Sequence, residues 1–462
     1  MEREELIENI KDILKLEIPE EEKKSKLLQY HENDIADVID SMSPEERKEV
    51  YDILGDEFTG EVLLYSDDIN EAIEGLEPEH VADIIETMDA DDAIDVLEEL
   101  DDDQREEIVK LMDNESVEDI KAISKYDDDM IGSRMTNNYI TILSTDTVKT
   151  AMKKVIKEAA ENDNVSTIFV LDEDGKFYGV LDLRDLIIAR EGKDLKEIIK
   201  RNYPYFFATD LVSDRVLDLK EYSLNSYPIL DEQLHLVGVL TSDDVVEVID
   251  DETGEDYAKL AGLTEEENLD ESVGKSVKKR IPWLIVLLVL GLIQAFTMTG
   301  FEKVVAALPL IVFFQTLILD MAGNTGTQSL AVTIRMISTN EIRGRDIAKT
   351  IFKEIRIGFI NGLFLAILSF GFVLLYLLIA NRGIKENSTF EIISAMQGAG
   401  IIGVSLLIAM TVSSMIGSLV PIIFLKIHVD PAVASGPFIT TVNDITALLI
   451  YYGLAALILS SL

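Results

Sequence analysis

The sequence predicts a multidomain protein: an α-helical superhelical N domain over 1–130, an α/β tandem pair over 131–250, a connecting helix over 251–280, and an all-α membrane domain of five transmembrane helices over 281–462. Three observations lead there. Mean hydropathy is +0.17 although the 462 residues carry 86 acids against 41 bases, a net charge of −45. The contradiction disappears when the chain is divided at Arg280, because residues 281–462 hold only 9 acids and 10 bases while residues 1–280 hold 77 and 31, a net charge of −46. Two internal repeats of different texture fill the acidic part. An acidic half joined to a nearly uncharged apolar half excludes an ordinary cytosolic enzyme, and the surplus of acids excludes nucleic acid as a partner, which requires a basic footprint. It favours cations as ligands. The absence of cysteine excludes disulfides, thiolate metal sites and a cysteine nucleophile. Residues 1–30 are charged and lack the apolar core of a signal peptide.

The first repeat predicts the N domain. Residues 31–54 (HENDIADVIDSMSPEERKEVYDIL) align with 77–100 (EPEHVADIIETMDADDAIDVLEEL) at a displacement of 46, matching Ala36 with Ala82, Asp37 with Asp83, Met42 with Met88, Val50 with Val96 and Leu54 with Leu100. Apolar residues recur at three and four, so each unit is a pair of short helices in a stacked superhelix. The acids Asp89, Asp91 and Asp92 and the run 101–103 fall at its turns, where dipole-favoured helix caps are the ordinary explanation.

The second repeat predicts the α/β pair. Residues 168–185 (IFVLDEDGKFYGVLDLRD) align with 227–244 (YPILDEQLHLVGVLTSDD) at a displacement of 59, each reading as strand, turn, strand and then a helix opening after Gly-Val-Leu. The second copy, with Pro-Ile-Leu-Asp231 followed by Gly238-Val-Leu-Thr241-x-x-Asp244, resembles a CBS domain, so the two copies resemble a tandem CBS pair; the first copy has Asp182 where Ser or Thr is usual. That resemblance implies an adenine nucleotide, ATP included, with Asp185 and Asp244 as the carboxylates for its ribose. From Asp244 a helical pattern crowds acids at Glu247, Asp250, Asp251, Glu252, Glu255 and Asp256, which repel one another unless cations sit among them.

The apolar half predicts five spans at 281–301, 304–335, 357–381, 392–425 and 431–462. About 20 apolar residues cross a bilayer. The fourth run, at 34 residues, is long for one straight helix, and Gly417 and Pro421 predict a kink, a strong tilt or two shorter pieces. Eleven bases (Lys275, Lys278, Lys279, Arg280, Arg335, Arg343, Arg345, Lys349, Lys353, Arg356, Lys426) flank the spans on one side against three (Lys303, Arg382, Lys385) on the other, which predicts a cytoplasmic N-terminal half and an external C-terminus.

Asp320 and Asp444 stand inside these spans. A charge at the bilayer centre costs roughly 2.5–3.5 kcal/mol, so each needs a wet or paired environment. The first precedes Gly323, Asn324, Gly326 and Gln328; the second follows Asp430-Pro431, Ser435, Gly436-Pro437, Thr440, Thr441 and Asn443. Gly436-Pro437 is expected to interrupt helical hydrogen bonding and free carbonyls near Ser435, Thr440 and Thr441, with Asp444 one turn beyond Thr440 on the same face. Hard oxygen ligands suit Mg²⁺ or Ca²⁺ rather than a soft metal. Two intramembrane aspartates also raise a protease dyad, but no Gly-x-Gly-Asp segment or Gly-x-Ser-x-Gly elbow accompanies them, and the chain is read as no enzyme.

The order of parts, with Gly323-Asn324-x-Gly326-x-Gln328 in the second span and Asp430-Pro431, Gly436-Pro437 and Asp444 in the fifth, resembles the MgtE family of magnesium channels over essentially the whole chain. The resemblance implies a homodimer in the plasma (inner) membrane with one pore on its axis, lined by the second and fifth spans, and Asp444 binding hydrated Mg²⁺ at its centre. It makes the acidic helix a plug whose carboxylates Asp244, Glu247, Glu252, Glu255 and Asp256 hold regulatory Mg²⁺ against the other cytosolic domains; Asp250, Asp91 and Asp430 are added as further candidate regulatory ligands. Asp320 is assigned a supporting role. The competing readings are a nucleotide-regulated transporter of Co²⁺, Mn²⁺ or Zn²⁺, which the lack of cysteine disfavours, and a membrane sensor that transports nothing.

Overall fold

The computed structural model describes residues 3–66, 68–160, 162, 164–190, 192–267, 271–307, 309–339, 346–380 and 388–461. Arg343, Arg345, Arg382 and Lys385, used above for orientation, and the span limits at 381 and 462 lie outside them. The chain forms two units, Met1–Ile249 and Asp250–Leu462.

In the first unit, the repeated sequence becomes repeated helices: Glu32–Ile39 and Pro44–Leu54 in one copy, Pro78–Ile85 and Ala90–Glu99 in the other. The same positions are buried in both, Ile35 with Val81, Val38 with Ile84, Ile39 with Ile85, Tyr51 with Leu97 and Leu54 with Leu100, which is why helices of only two or three turns hold together. Their starts differ. Ser43 caps the Pro44–Leu54 helix in a reciprocal box with Glu46. Asp89, at the corresponding place, makes no cap bond and instead accepts from Asn138 Nδ2 at 2.9 Å.

The α/β pair follows as two three-stranded sheets, Thr141–Leu143, Thr167–Leu171 and Phe177–Asp182 in one, Phe206–Phe207, Ser226–Leu230 and Leu236–Thr241 in the other. Each joins its first two strands in parallel and the last two antiparallel, with a register shift at Val170/Leu171 and again at Ile229/Leu230. The hairpin turns match as well: Asp172 and Asp231 each accept backbone N–H bonds from two and four residues on. The turn requires positive φ, adopted by Gly175 in the first copy and by Leu234 (φ 69°) in the second.

The second copy runs without a break into the helix Ser242–Ala261, so the connecting helix begins inside the predicted α/β pair and ends well before 280. It stops where Gly262 turns to φ +88°. Beyond it lie helices Val273–Thr299, Glu302–Ala307, Pro309–Ser338, Asp346–Ala380, Ser388–Lys426 and Gly436–Ser461. Among the described residues, four helices are long and apolar enough to cross a membrane, those within Val273–Thr299, Ile347–Tyr376, Met396–Lys426 and Gly436–Ile458. Pro309–Ser338 is not among the four; its middle is diluted by Asp320, Asn324, Thr325, Thr327 and Gln328. The predicted fourth span is one continuous helix that passes through Pro421.

Pro309–Ser338, Ser388–Lys426 and Gly436–Ser461 pack together around Ile318, Ala322, Ile402, Leu406, Ala409 and Tyr451, while Asp346–Ala380 lies against Ser388–Lys426. Tyr451 and Tyr452 bind across to Ile311 O at 2.8 Å and Gln315 Oε1 at 2.7 Å, satisfying hydroxyls that hydrocarbon would not. Val273–Thr299 packs beside Gly436–Ser461 and buries no residue fully.

Candidate ion pathway and acidic clusters

The Pro309–Ser338 helix has two faces. Asp320, Asn324 and Gln328, spaced by four, are exposed, while Gly323 and Gly326 are buried against neighbouring helices. Gly323 lies at the crossing with Gly436–Ser461, where a Cβ would come 2.9 Å from Thr440 Cγ2 and 3.6 Å from Asp444 Oδ1. Thr440 and Asp444 therefore share a face, as their spacing predicts, and that face adjoins the polar stripe of Asp320. The side chains thus converge from two helices in an otherwise apolar domain.

Other expected pathway residues are placed differently. Asn443 is fully buried and points at Gly326, where any Cβ would overlap its amide; neither amide atom has a hydrogen-bond partner. It is a helix-interface residue, because one step along a helix turns the side chain about 100° from Asp444. Gly436-Pro437 does not interrupt a helix but starts one: Ser435, also fully buried, caps it by accepting from Phe438 N at 3.4 Å. Proline in the first turn lacks only an N–H that would be unpaired anyway. The carbonyls expected to be free accept from Thr440 Oγ1 and Thr441 Oγ1, both at 2.9 Å.

A first acidic cluster lies in the unit Met1–Ile249. Asp91 has a buried carboxylate oxygen, Oδ1, with no hydrogen-bond partner, and burial together with Asp244, Asp92 and Asp89 pushes its pKa up to about 8. Burial, then Asp89 and Asp244, raise Asp92 to about 7. Asp244 rises to about 6, again chiefly by burial, although its Oδ2 accepts from Thr241 N at 2.7 Å. Glu247 is on the same side of its helix, 3.8 Å from Arg134, and both Glu247 and Asp250 are exposed. Asp91 and Asp92 are thus raised by burial and by neighbouring acids that include Asp244, and Asp244 by burial with Asp243 and Glu247, an arrangement that a cation relieves.

A second cluster occupies the end of Ser242–Ala261, in the unit Asp250–Leu462. Glu252 is raised to about 7 by burial, with Glu255, Asp256 and Asp430 adding and Lys259 opposing. Asp256 accepts from Ser338 Oγ at 3.1 Å. Lys259 Nζ bridges Glu255 Oε2 at 2.7 Å and Asp430 Oδ2 at 3.1 Å. Sequence reasoning missed Lys259; its spacing of four from Glu255 was the available signal, but nothing local points to Asp430. Among the described residues, no three acidic or histidine side chains converge closely enough to chelate one ion.

The two nucleotide candidates are not equivalent. Asp185 lines a cavity of about 1060 Å³ with Arg190, Lys193, Glu197 and Lys200, while Asp244 lies in the acidic cluster and caps its own helix. Asp182, the departure from the usual Ser or Thr, pairs with Lys200.

Residues 315–454 match the family model MgtE, a divalent cation transporter; residues 30–129 match the MgtE intracellular N domain, and 128–192 and 195–251 match CBS domains. The magnesium transporter MgtE of Enterococcus faecalis is 32% identical over 339 residues, covering 73% of this chain and 71% of the relative. The chain belongs to the MgtE family. The magnesium transporter MgtE of Bacillus subtilis is 32% identical over 351 residues, 74% of this chain and 72% of its own. The crystal structure of the soluble part of a magnesium transporter is similar with a TM-score of 0.51 at 25% identity, covering 54% of this chain and 99% of that one. As a member of the MgtE family the chain is a multi-pass membrane protein and not an enzyme.

Proposed function

We propose that this chain is a Mg²⁺-selective channel of the plasma membrane that imports hydrated Mg²⁺ and is closed by cytosolic Mg²⁺. The observation that carries the reading is the convergence of Thr440 and Asp444 on Gly323, beside the exposed stripe Asp320, Asn324 and Gln328, in an apolar helical domain. A polar face cannot be left in lipid, so Pro309–Ser338 serves as the fifth span and turns this face to the same face of a second copy, forming a homodimeric pore. Mg²⁺ sheds water reluctantly, and Asp444 and Thr440 contact its water shell rather than the bare ion.

Regulation follows from the charge. With 77 acids and 31 bases in residues 1–280, two copies repel until divalent ions neutralise Asp91, Asp244, Glu247, Asp250, Glu252, Glu255, Asp256 and Asp430. Bound ions favour the docked, closed arrangement of the Ser242–Ala261 helix, and their loss favours the open one. The basic lining beside Asp185 supports ATP binding at the CBS pair. The excess of bases flanking the spans on one side supports an N-terminal half in the cytoplasm and a C-terminus outside. The test is Mg²⁺ uptake by Asp444→Asn at equal expression: transport is lost while folding and assembly are retained. Parent-level uptake by that variant rejects the site, and uptake that favours Co²⁺, Mn²⁺ or Zn²⁺ over Mg²⁺ replaces the substrate.

A further inference from the structure

The docked end of the acidic helix carries a cation of its own. Lys259 lies in the last turn of Ser242–Ala261, its side chain 24% exposed, with Nζ 2.7 Å from Glu255 on the same helix and 3.1 Å from Asp430. Asp430 is fixed in place: its Oδ1 accepts from Ala432 N at 2.8 Å, which leaves Oδ2 for the ammonium. Two residues later the helix ends, at Ala261, against the start of the helix that carries Asp444. A Cβ on Gly262 would lie 3.4 Å from Pro437 Cγ, and one on Gly436 would lie 3.4 Å from Leu260 O. The ion pair therefore sits where the acidic helix meets the Gly436–Ser461 helix.

We propose that Lys259 is a tethered cation that holds the acidic helix against the start of the Asp444 helix without a metal, so that a divalent ion must displace its ammonium to bridge Glu255 and Asp430. This rests on the gating reading above. An ammonium already within hydrogen-bond distance of both carboxylates fills the space a bridging Mg²⁺ would take, so the two cations are alternatives. The channel then has two docked forms, one held by Lys259 at low Mg²⁺ and one held by the metal. Lysine suits the first role because its compact charge can leave and return on a flexible stem.

The test uses the full-length protein in liposomes, with Mg²⁺ flux followed from the lowest to millimolar Mg²⁺ on the cytosolic side. Lys259→Met is expected to raise flux at the lowest Mg²⁺ about fivefold, the scale of one half-exposed ion pair. Asp430→Asn should do the same, the double variant should rise no further than either, and Lys259→Arg should stay near the parent. Parent-level flux in Lys259→Met, or effects of the two substitutions that multiply, overturns the proposal. A second readout does not depend on transport. The natural chain has no cysteine, so Asp256→Cys with Ser338→Cys, whose side chains touch at 3.1 Å, reports docking as a disulfide. In chelator this pair should cross-link several-fold more slowly when Lys259→Met is added; an unchanged rate refutes the tether even if flux cannot be read. A parent without any response to Mg²⁺ would reject the gating reading, while the cross-linking still decides the tether.

Discussion

Replacing Asp91 by asparagine tests the physical basis of the first acidic cluster. In the folded unit its pKa is about 8, raised first by burial and then by Asp244, Asp92 and Asp89, against about 3.9 in an unfolded chain. A carboxyl whose folded pKa is raised contributes stability that is complete below the unfolded value and is lost as pH climbs through the folded one. Between pH 5 and pH 8 the folded form must give up a proton the unfolded form has already lost, and that linkage alone costs about 3–4 kcal/mol. Asp92 and Asp244 titrate in the same range and share part of this cost, so the values do not add. The asparagine of the variant has no charge to desolvate. Urea unfolding of residues 1–249 in chelator should show the parent losing stability from pH 5 to pH 8 and Asp91→Asn losing several kcal/mol less. Millimolar Mg²⁺ at pH 8 should restore the parent and act weakly on the variant, because the ion binds deprotonated carboxylates. An equal pH slope in both proteins, or a variant less stable than the parent at pH 8, refutes the reasoning.

Asp320→Asn should reduce conductance or expression while leaving ion preference unchanged in competition flux; a complete switch of preference would show that Asp320, not Asp444, is the selecting carboxylate. Gly326→Ala should abolish assembly or transport because its methyl group overlaps the Asn443 amide, and adding Asn443→Ala should recover it, since the nearest remaining atom is Ile439 Cγ2 at 3.3 Å. Size-exclusion profiles and flux of the single and double variants check this, and a double variant no better than Gly326→Ala contradicts it. Amide replacement of Glu247, Glu252, Glu255 and Asp256 together removes both ligands and repulsion. Ligand loss should prevail, because repulsion is screened over about 8 Å at physiological salt, and the channel should stay open at Mg²⁺ levels that close the parent.

What the sequence showed was largely periodic. Displacements of 46 and 59 carried the paired helices, their buried positions and even the matching hairpin turns, because a repeat imposes the same packing twice. Helical spacing also placed Thr440 and Asp444 on one face. It misled where function was assigned by proximity in sequence: Asn443 adjoins Asp444 yet packs on Gly326, and Gly436-Pro437 looked like a break but supplies a helix start. The charge density after Asp244 was legible, but the partition of those acids was not. Asp244 lies with Asp91 and Asp92, Asp256 meets Ser338, and Glu255 shares Lys259 with Asp430; each pairing depends on tertiary packing of distant segments.

The central claim is a Mg²⁺ pathway closed by Mg²⁺ itself, and the most direct measurement is unidirectional Mg²⁺ flux through the purified full-length protein in oriented liposomes while Mg²⁺ on the side of the acidic half is varied. Flux should be greatest in chelator, where only the Lys259 tether still holds part of the population docked, and fall further toward the millimolar range, with Asp444→Asn inactive throughout. Mg²⁺ flux indifferent to that concentration, or undiminished in Asp444→Asn, would contradict it.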